Sequence, residues 1–128
     1  MITRFFIYGA LGCLMEVLWT GLCAIKDNNV KMSSQTSLWM FLIYGMVIFL
    51  EPFFHMVSPL HFMLRGMIYA ALIFAGEFVT GSLLKKADAC PWDYSHMRYN
   101  VKGIISANYI PAWITLGLFY EQVYWTLV

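Results

Sequence analysis

Apolar residues run along the chain in four long stretches that short polar segments separate. We place the stretches near Arg4–Ile25, Leu38–Val57, Phe62–Leu84 and Ile104–Leu127. Each is close to the roughly 20 residues that an α-helix needs to cross a bilayer. A water-soluble helical core is the alternative, but each of its helices should then show a polar face. The pattern predicts an all-α integral membrane protein, a four-helix bundle in which residues 1–128 form a single four-span domain.

The first and third stretches repeat one another. Ile7–Leu11 aligns with Ile68–Leu72, and Glu16 then aligns with Glu77 without a gap. The end of the fourth stretch, Gly117–Gln122, loosely echoes the end of the second. This favours two repeated helical hairpins that run the same way through the membrane, a parallel repeat. Chance similarity between apolar segments is the alternative.

All four glutamates of the chain lie inside predicted spans and none lies in a loop: Glu16, Glu51, Glu77 and Glu121. Glutamate is ordinarily a surface residue. A carboxylate within a span is costly, so these side chains are expected to face other helices and to mark a functional site. By length along the helix, Glu16 and Glu77 lie near the midplane, and the other two lie nearer the outer side.

The glutamates have polar neighbours in the spans, and three interpretations remain open. Candidate partners in this intramembrane polar site are Tyr8, Tyr44, Tyr69, Thr20, Thr80, Asn108, His55 and Arg65. The first interpretation is structural, with protonated carboxyls hydrogen-bonded across helices. The second is transport, with a polar path for a proton, a cation or a cationic substrate. The third is a metal enzyme, but carboxylate-bridged di-iron bundles need Glu-x-x-His pairs on two helices. Glu51 and His55, spaced by four, form the nearest such pair, so we predict neither a metal site nor catalytic residues.

Composition excludes several other classes of function. The chain is 61% hydrophobic and 12% charged, and its net charge of +1 gives no reason to expect a nucleic-acid partner. Its three cysteines form neither a disulfide framework nor a zinc signature. No GxxxxGK[ST] motif occurs, so the chain is not itself a P-loop ATPase, and no cofactor is predicted.

The loop between the last two spans carries the motif Trp92-Asp93-Tyr94-Ser95. Aromatic residues with polar tips suit the membrane–water interface. We expect Trp92, Asp93 and Tyr94 to fold back on the ends of the first and third spans. Asp93 would accept backbone N–H groups from the start of the fourth span or pair with Lys85 or Lys86. The alternative is a solvated turn with no defined contact.

Three segments together resemble a known family. They are the stretch from Tyr8-Gly9 to Thr20, the stretch from Thr36 to Glu51, and Glu77-Phe78-Val79-Thr80-Gly81 followed by Cys90–Ser95. They are similar to the bacterial family of putative ABC-transporter type IV membrane proteins, which includes the vertebrate transmembrane protein 229 group. The resemblance covers nearly the whole chain and implies a small polytopic protein of the bacterial cytoplasmic membrane. It carries over no functional residues.

The expected function is that of a transport-associated membrane component. Without an ATPase domain of its own, such a component would need a separate nucleotide-binding subunit, and a homo-oligomer is the other expected assembly. The alternative is a structural or regulatory membrane protein that acts by binding partners. Most basic residues flank one side of the predicted spans, which places both termini outside by the positive-inside rule. These residues are Lys26, Lys31, Lys85, Lys86, Arg98 and Lys102, against Arg4 and Arg65 on the other side.

Overall fold

A computed structural model describes residues 2–28, 31–32, 34 and 36–128. The fold is all-α, as predicted. Its helices are α1 (Ile2–Lys26), α2 (Leu38–Gly45), α3 (Glu51–Met56), α4 (Phe62–Lys86) and α5 (Ile110–Leu127). Two-residue strands β1 (Asn100–Val101) and β2 (Ile105–Ser106) pair antiparallel in the loop before α5.

Three helical segments of the described chain are long and apolar enough to cross a membrane. They are Ile2–Lys26, Leu38–Met56 and Phe62–Lys86, and they confirm the first three predicted spans to within a few residues. Leu14, Leu18 and Leu22 form an exposed apolar stripe on α1, spaced by four residues. Such a stripe is typical of a lipid-facing surface, and the protein is an integral membrane protein.

The start predicted for the fourth span at Ile104 is wrong. Residues 104–109 belong to β2 and a short 3₁₀ turn, and α5 begins at Ile110. Lys102 and Gly103 turn the chain through positive φ, and the Ser106 hydroxyl caps the turn at the N–H of Asn108. Pro111 lies in the first turn of α5, where it needs no hydrogen-bond partner and causes no kink. Ile104 is buried because it packs against Gly81 of α4, and not because it belongs to a membrane-spanning helix.

The second span is interrupted in its middle. Ser37 caps α2 by accepting a hydrogen bond from the N–H of Met40. The backbone then tightens into a 3₁₀ segment, Met46–Leu50, before α3 begins at Glu51 with Pro52 in its first turn. A proline removes the N–H that would continue the α-helical ladder, which accounts for the change at this point.

The chain divides into two compact units, one ending at Phe49 and the other starting at Leu50. The first is a hairpin of α1 and α2. Gly9 faces the backbone oxygen of Phe41, and Gly45 faces the ring of Phe5. Glycines of this kind let membrane helices approach closely.

The second unit contains α3, α4, the loop of residues 87–109 and α5. Helices α4 and α5 form its hairpin, in which Gly66 faces Ile114 and Gly117 faces Tyr69. Phe54 of α3 is fully buried against the rings of Tyr69 and Tyr124. Both predicted hairpins are therefore present, each closed by glycines.

Candidate functional site

The first hairpin brings one glutamate to a tyrosine. The Tyr44 hydroxyl on α2 donates to Oε2 of Glu16 on α1 over 3.1 Å. Gly12 lies one turn before Glu16 on the same face, and a Cβ at Gly12 would overlap Cβ and Cγ of Tyr44. The glycine therefore gives the tyrosine ring room to lie across α1 and reach the carboxylate.

The second hairpin holds a larger network around Glu121 of α5. Tyr69 of α4 donates its hydroxyl to Oε2 of Glu121. Arg65, one turn earlier on α4, donates from Nε to the same oxygen over 3.0 Å and from Nη1 to the carbonyl of Leu60 over 2.6 Å. The Glu121 side chain is only 4% exposed, so the ion pair lies largely away from water.

The same local arrangement recurs in the two hairpins with the roles of the helices exchanged. Gly117 precedes Glu121 by four residues and faces Tyr69, as Gly12 precedes Glu16 and faces Tyr44. Residues four apart lie on one face of a helix. In each hairpin a glycine makes room for the ring, and the glutamate one turn later accepts its hydroxyl. We call these two arrangements the Gly-Tyr-Glu clasps.

A cavity of about 200 Å³ opens beside the second clasp. Its lining side chains are Ser58, Arg65, Glu121, Gln122 and Trp125. Next to it, Nε2 of His55 is hydrogen-bonded to the Tyr124 hydroxyl over 2.5 Å, and the His55 ring packs edge-on against Trp125. The cavity thus places a buried carboxylate, a guanidinium, an amide, a hydroxyl and an indole around one small space.

Glu77, eight residues beyond Tyr69 on α4, has a partner in the loop. The Tyr94 hydroxyl donates to Oε1 of Glu77 over 2.9 Å. Eight residues span about 12 Å of helix, so Glu77 and Glu121 occupy different levels of the second unit. Under the sequence repeat Glu77 is the counterpart of Glu16, but their partners differ, one in a loop and one on a helix.

The loop motif docks on α4. Trp92 donates its indole N–H to the carbonyl of Ile104 over 2.8 Å, and both residues pack on Gly81. Oδ1 of Asp93 accepts the backbone N–H of Ser95, two residues further along the loop. That backbone N–H, and next the Ser95 hydroxyl, hold the pKa of Asp93 below its ordinary value, with help from Lys85 and His96.

The remaining candidates of the polar site occupy other surroundings. Glu51 is buried at the first position of α3, and Tyr8 is fully buried in α1. The Thr20 and Thr80 hydroxyls each donate to carbonyls of their own helix. Asn108 is exposed and accepts the Ser106 hydroxyl at the start of the 3₁₀ turn.

Several residues of the site went unnoticed in the sequence. Ser58, Gln122 and Trp125 line the cavity, and Tyr124 bonds His55. The available signal was the spacing Gly-x-x-x-Glu, which occurs at Gly12–Glu16 and at Gly117–Glu121. It marks the helix face where an aromatic ring can approach a carboxylate, although it does not say which ring.

Glu121 lines the cavity and is bonded to both Tyr69 and Arg65. The described residues bring no three His, Cys, Asp or Glu side chains together as a metal-holding group.

Comparison with known proteins places the chain in a family. No solved structure matches it. The family model described as Putative ABC-transporter type IV matches residues 3–128, almost the entire chain. Its apolar helices agree with that description. The protein belongs to the Putative ABC-transporter type IV family.

Proposed function

We propose that the protein is the membrane component of a transport system and that Glu121 is its binding carboxylate. In this proposal Glu121 receives a proton, a cation or the positively charged group of a substrate. The observation that supports it is the cavity of about 200 Å³ that reaches this buried side chain. An ionisable residue within a membrane, beside a polar cavity, is the usual mark of an ion or substrate path.

Glu121 differs from Glu16 and Glu77 because it lines the cavity. Glu16 and Glu77 each accept a tyrosine hydroxyl, and neither lines this cavity. Glu121 combines a tyrosine, an arginine and an open space. The other glutamates therefore serve in this proposal to hold elements together, while Glu121 is the group that exchanges its partner.

Arg65 connects the binding of a cation at Glu121 to the start of helix α4. It is the charged partner of Glu121, so a proton or cation arriving at the carboxylate weakens the ion pair. The guanidinium is held at the loop through the Leu60 carbonyl, close to the start of α4. Binding of a proton or cation at Glu121 would thus change the contacts of Arg65 at the end of the α4–α5 hairpin. A coupling of this kind needs an element with two arrangements, and the α3–α4 connection beside Ser58 is the one next to the cavity.

The partners follow from the family and from the charge distribution. A transporter of the ABC type needs a nucleotide-binding subunit, and the basic loop side, with Lys85, Lys86, Arg98 and Lys102, is the cytoplasmic side by the positive-inside rule. In this proposal the subunit contacts the loop side, and the cavity at the opposite end of α4 opens outward. A second copy of the chain is the other candidate partner.

A second function is favoured by a different observation. Glu16, Glu77 and Glu121 each accept a tyrosine hydroxyl from another element, so every one of them links two parts of the fold. In a purely structural or regulatory membrane protein this is all that the glutamates would do. The protein would then act by binding partners, and no solute would pass.

Flux into proteoliposomes separates the two functions. Purified protein is reconstituted, and proton and monovalent-cation entry are followed for wild type, Glu121→Gln and Glu77→Gln. Glutamine can still accept the tyrosine hydroxyl in both variants, so Glu77→Gln controls for the loss of a carboxylate. Flux is normalised to folded protein, because only Glu121→Gln leaves an arginine without its charged partner. We expect flux to fall at least tenfold in Glu121→Gln and to stay within about twofold of wild type in Glu77→Gln. Equal losses in both variants would support the structural function instead.

A further inference from the structure

We propose that the cavity at Glu121 binds a small zwitterion, a molecule that carries a cationic nitrogen and a carboxylate a few ångströms apart, as an α-amino acid does. The inference rests on the proposed function only for its location, and it names the class of substrate. Its basis is the hydrogen-bonding capacity that the described residues leave unused on both members of the ion pair.

The anionic half of the ligand is indicated by Arg65. A guanidinium has five N–H donors in a planar fork. Within the described part of the chain Arg65 uses two of them, from Nε to Glu121 and from Nη1 to Leu60. Three donors remain on a side chain that lines the cavity. A carboxylate matches such a fork in geometry and in charge.

The cationic half is indicated by Glu121. Both of its hydrogen bonds, from Tyr69 and from Arg65, end on Oε2. Among the described residues no group donates to Oε1, and the side chain lines the cavity. An ammonium group, with three N–H donors, fits this second oxygen.

The distance between the two ends suits one molecule that carries both charges. Nε of Arg65 lies 3.0 Å from Oε2 of Glu121, so the remaining donors and the remaining acceptor are only a few ångströms apart. The cavity of about 200 Å³ has room for more than a single water molecule. An amino acid with a short side chain fits such a space.

Charge balance excludes the simpler ligands as the best occupants. A lone cation at Glu121 would meet the guanidinium of Arg65, and a lone anion at Arg65 would meet the carboxylate of Glu121. Like charges at such distances repel strongly where water is scarce. A zwitterion offers each charge its opposite and leaves the site neutral, as a site within the membrane requires.

The other lining residues add recognition at the rim. Gln122 and Ser58 provide an amide and a hydroxyl, and Trp125 provides an indole beside the cationic end. An indole attracts a cation through its ring electrons. Trp125 is 42% exposed, so replacing it leaves the hairpin packing of α4 and α5 largely intact.

Binding is measured by isothermal titration calorimetry on the full chain in detergent, with three probes that share a carbon skeleton. L-Alanine carries both charges, ethylammonium only the positive one, and propionate only the negative one. A panel of other L-amino acids covers side-chain preference. We expect at least one zwitterion of the panel to bind, and its matched amine and acid to bind at least tenfold more weakly.

Variants assign the two halves. Glu121→Gln should weaken binding of the zwitterion at least tenfold and strengthen binding of propionate, because the carboxylate that repels this anion is gone. Arg65→Gln should weaken binding of the zwitterion equally and strengthen binding of ethylammonium, because the guanidinium that repels this cation is gone. Trp125→Leu, outside the ion pair, should weaken the zwitterion several-fold with little change in melting temperature. Glu77→Gln is the control and should bind as wild type does.

Two results would overturn the inference: no zwitterion of the panel binds, or ethylammonium binds as tightly as the zwitterion. Failure of the proposed function looks different. Flux that depends on Glu121 without zwitterion binding leaves transport standing and removes this ligand class. Zwitterion binding that needs both charges, without flux of that zwitterion, leaves the ligand class standing and removes transport.

Discussion

Two glycines make room for the tyrosines that hydrogen-bond Glu16 and Glu121. Gly12 and Gly117 have no side chain at the point where a tyrosine ring crosses the helix, and each lies one turn before the glutamate that the ring reaches. A carboxylate left facing lipid costs several kcal/mol. The Gly-Tyr-Glu clasps avoid this cost by turning both carboxylates into the hairpins. In each clasp the close packing of the helices and the pairing of the carboxylate therefore depend on the same glycine.

Gly12→Ala tests the clasp of the first hairpin. The added methyl would overlap the Cβ and Cγ of Tyr44, atoms close to the backbone that cannot swing away. We expect a loss of about 1–3 kcal/mol in the free energy of unfolding in detergent, the usual cost of overpacking. The measurement is a denaturation curve, compared with that of wild type.

Gly76→Ala is the matched control for this prediction. It lies in the same kind of apolar helix, but no described atom lies within 4 Å of the position that its Cβ would occupy. Alanine is the better helix former, so this variant should be neutral or more stable by up to about 1 kcal/mol. Equal effects of the two substitutions would contradict the clasp.

Asp93 makes the docked loop sensitive to acid. Its pKa is lowered in the folded protein, chiefly by the Ser95 N–H, so the folded state binds the proton less readily than the unfolded state does. The contribution of Asp93 is therefore complete above its unfolded pKa of about 3.9 and is lost as pH falls through the lower folded value. It should be modest, because the carboxylate is exposed to water and salt.

The comparison that checks this is between wild type and Asp93→Ala at two pH values. Wild type should be the more stable at pH 7, and the difference should shrink at about pH 3. A stability difference between the two proteins that is larger at pH 3 than at pH 7 would show that the ionised Asp93 carboxylate does not stabilise the fold. An equal stability at both pH values, with free protease access to the loop, would indicate a solvated turn.

The loop of residues 87–109 is the element that the apolar pattern could not predict. Ile104 and Ile105 read as the beginning of a span, but the chain uses Ile104 as a buried contact on Gly81 and pairs Ile105 with Val101 in the small sheet. Short apolar runs look alike in a helix, a strand or a loop contact. The long helices were predictable because a run of some twenty apolar residues is typical of a membrane-spanning helix and of little else.

Gly81→Val tests the docking of this loop. A Cβ at Gly81 would lie 2.5 Å from Cγ2 of Ile104 and 3.0 Å from Cζ2 of Trp92, so valine should push both residues off α4. We expect tryptic cleavage after Arg98 and Lys102 to speed up at least threefold. Gly76→Val, on an open face of the same helix, should leave the rate close to that of wild type. Unchanged cleavage in Gly81→Val would show that the loop does not depend on this contact.

The candidate site was only partly predictable from the sequence, for a geometric reason. The cost of buried charge singled out all four glutamates, and Arg65 was suspected as a partner of one of them. Which tyrosine meets which glutamate depends on helix rotation and on the glycines that set the distance, and neither shows in hydropathy. The lining residues Ser58, Gln122 and Trp125 are individually ordinary and become informative only beside Glu121.

At the scale of the whole molecule, the chain is a small membrane protein of the Putative ABC-transporter type IV family, built from two glycine-closed hairpins. The hairpins resemble each other in sequence but differ in chemistry. In the Glu16 clasp a tyrosine meets the carboxylate, whereas the Glu121 clasp adds an arginine and a cavity. Because only the Glu121 clasp combines an arginine with this cavity, we propose that the second hairpin carries the transport role.

The double variant Arg65→Gln with Glu121→Gln tests that assignment most directly. Removing one charge alone leaves the other buried and unpaired, which costs about 3–5 kcal/mol and confuses stability with function. Removing both leaves a neutral pair that can still hydrogen-bond, so the fold should lose much less stability than in either single variant. The measurement is flux into proteoliposomes, normalised to folded protein. We predict a folded protein in which flux has fallen at least tenfold. A folded double variant that transports as wild type does would contradict the assignment and would leave the ion pair as a structural link alone.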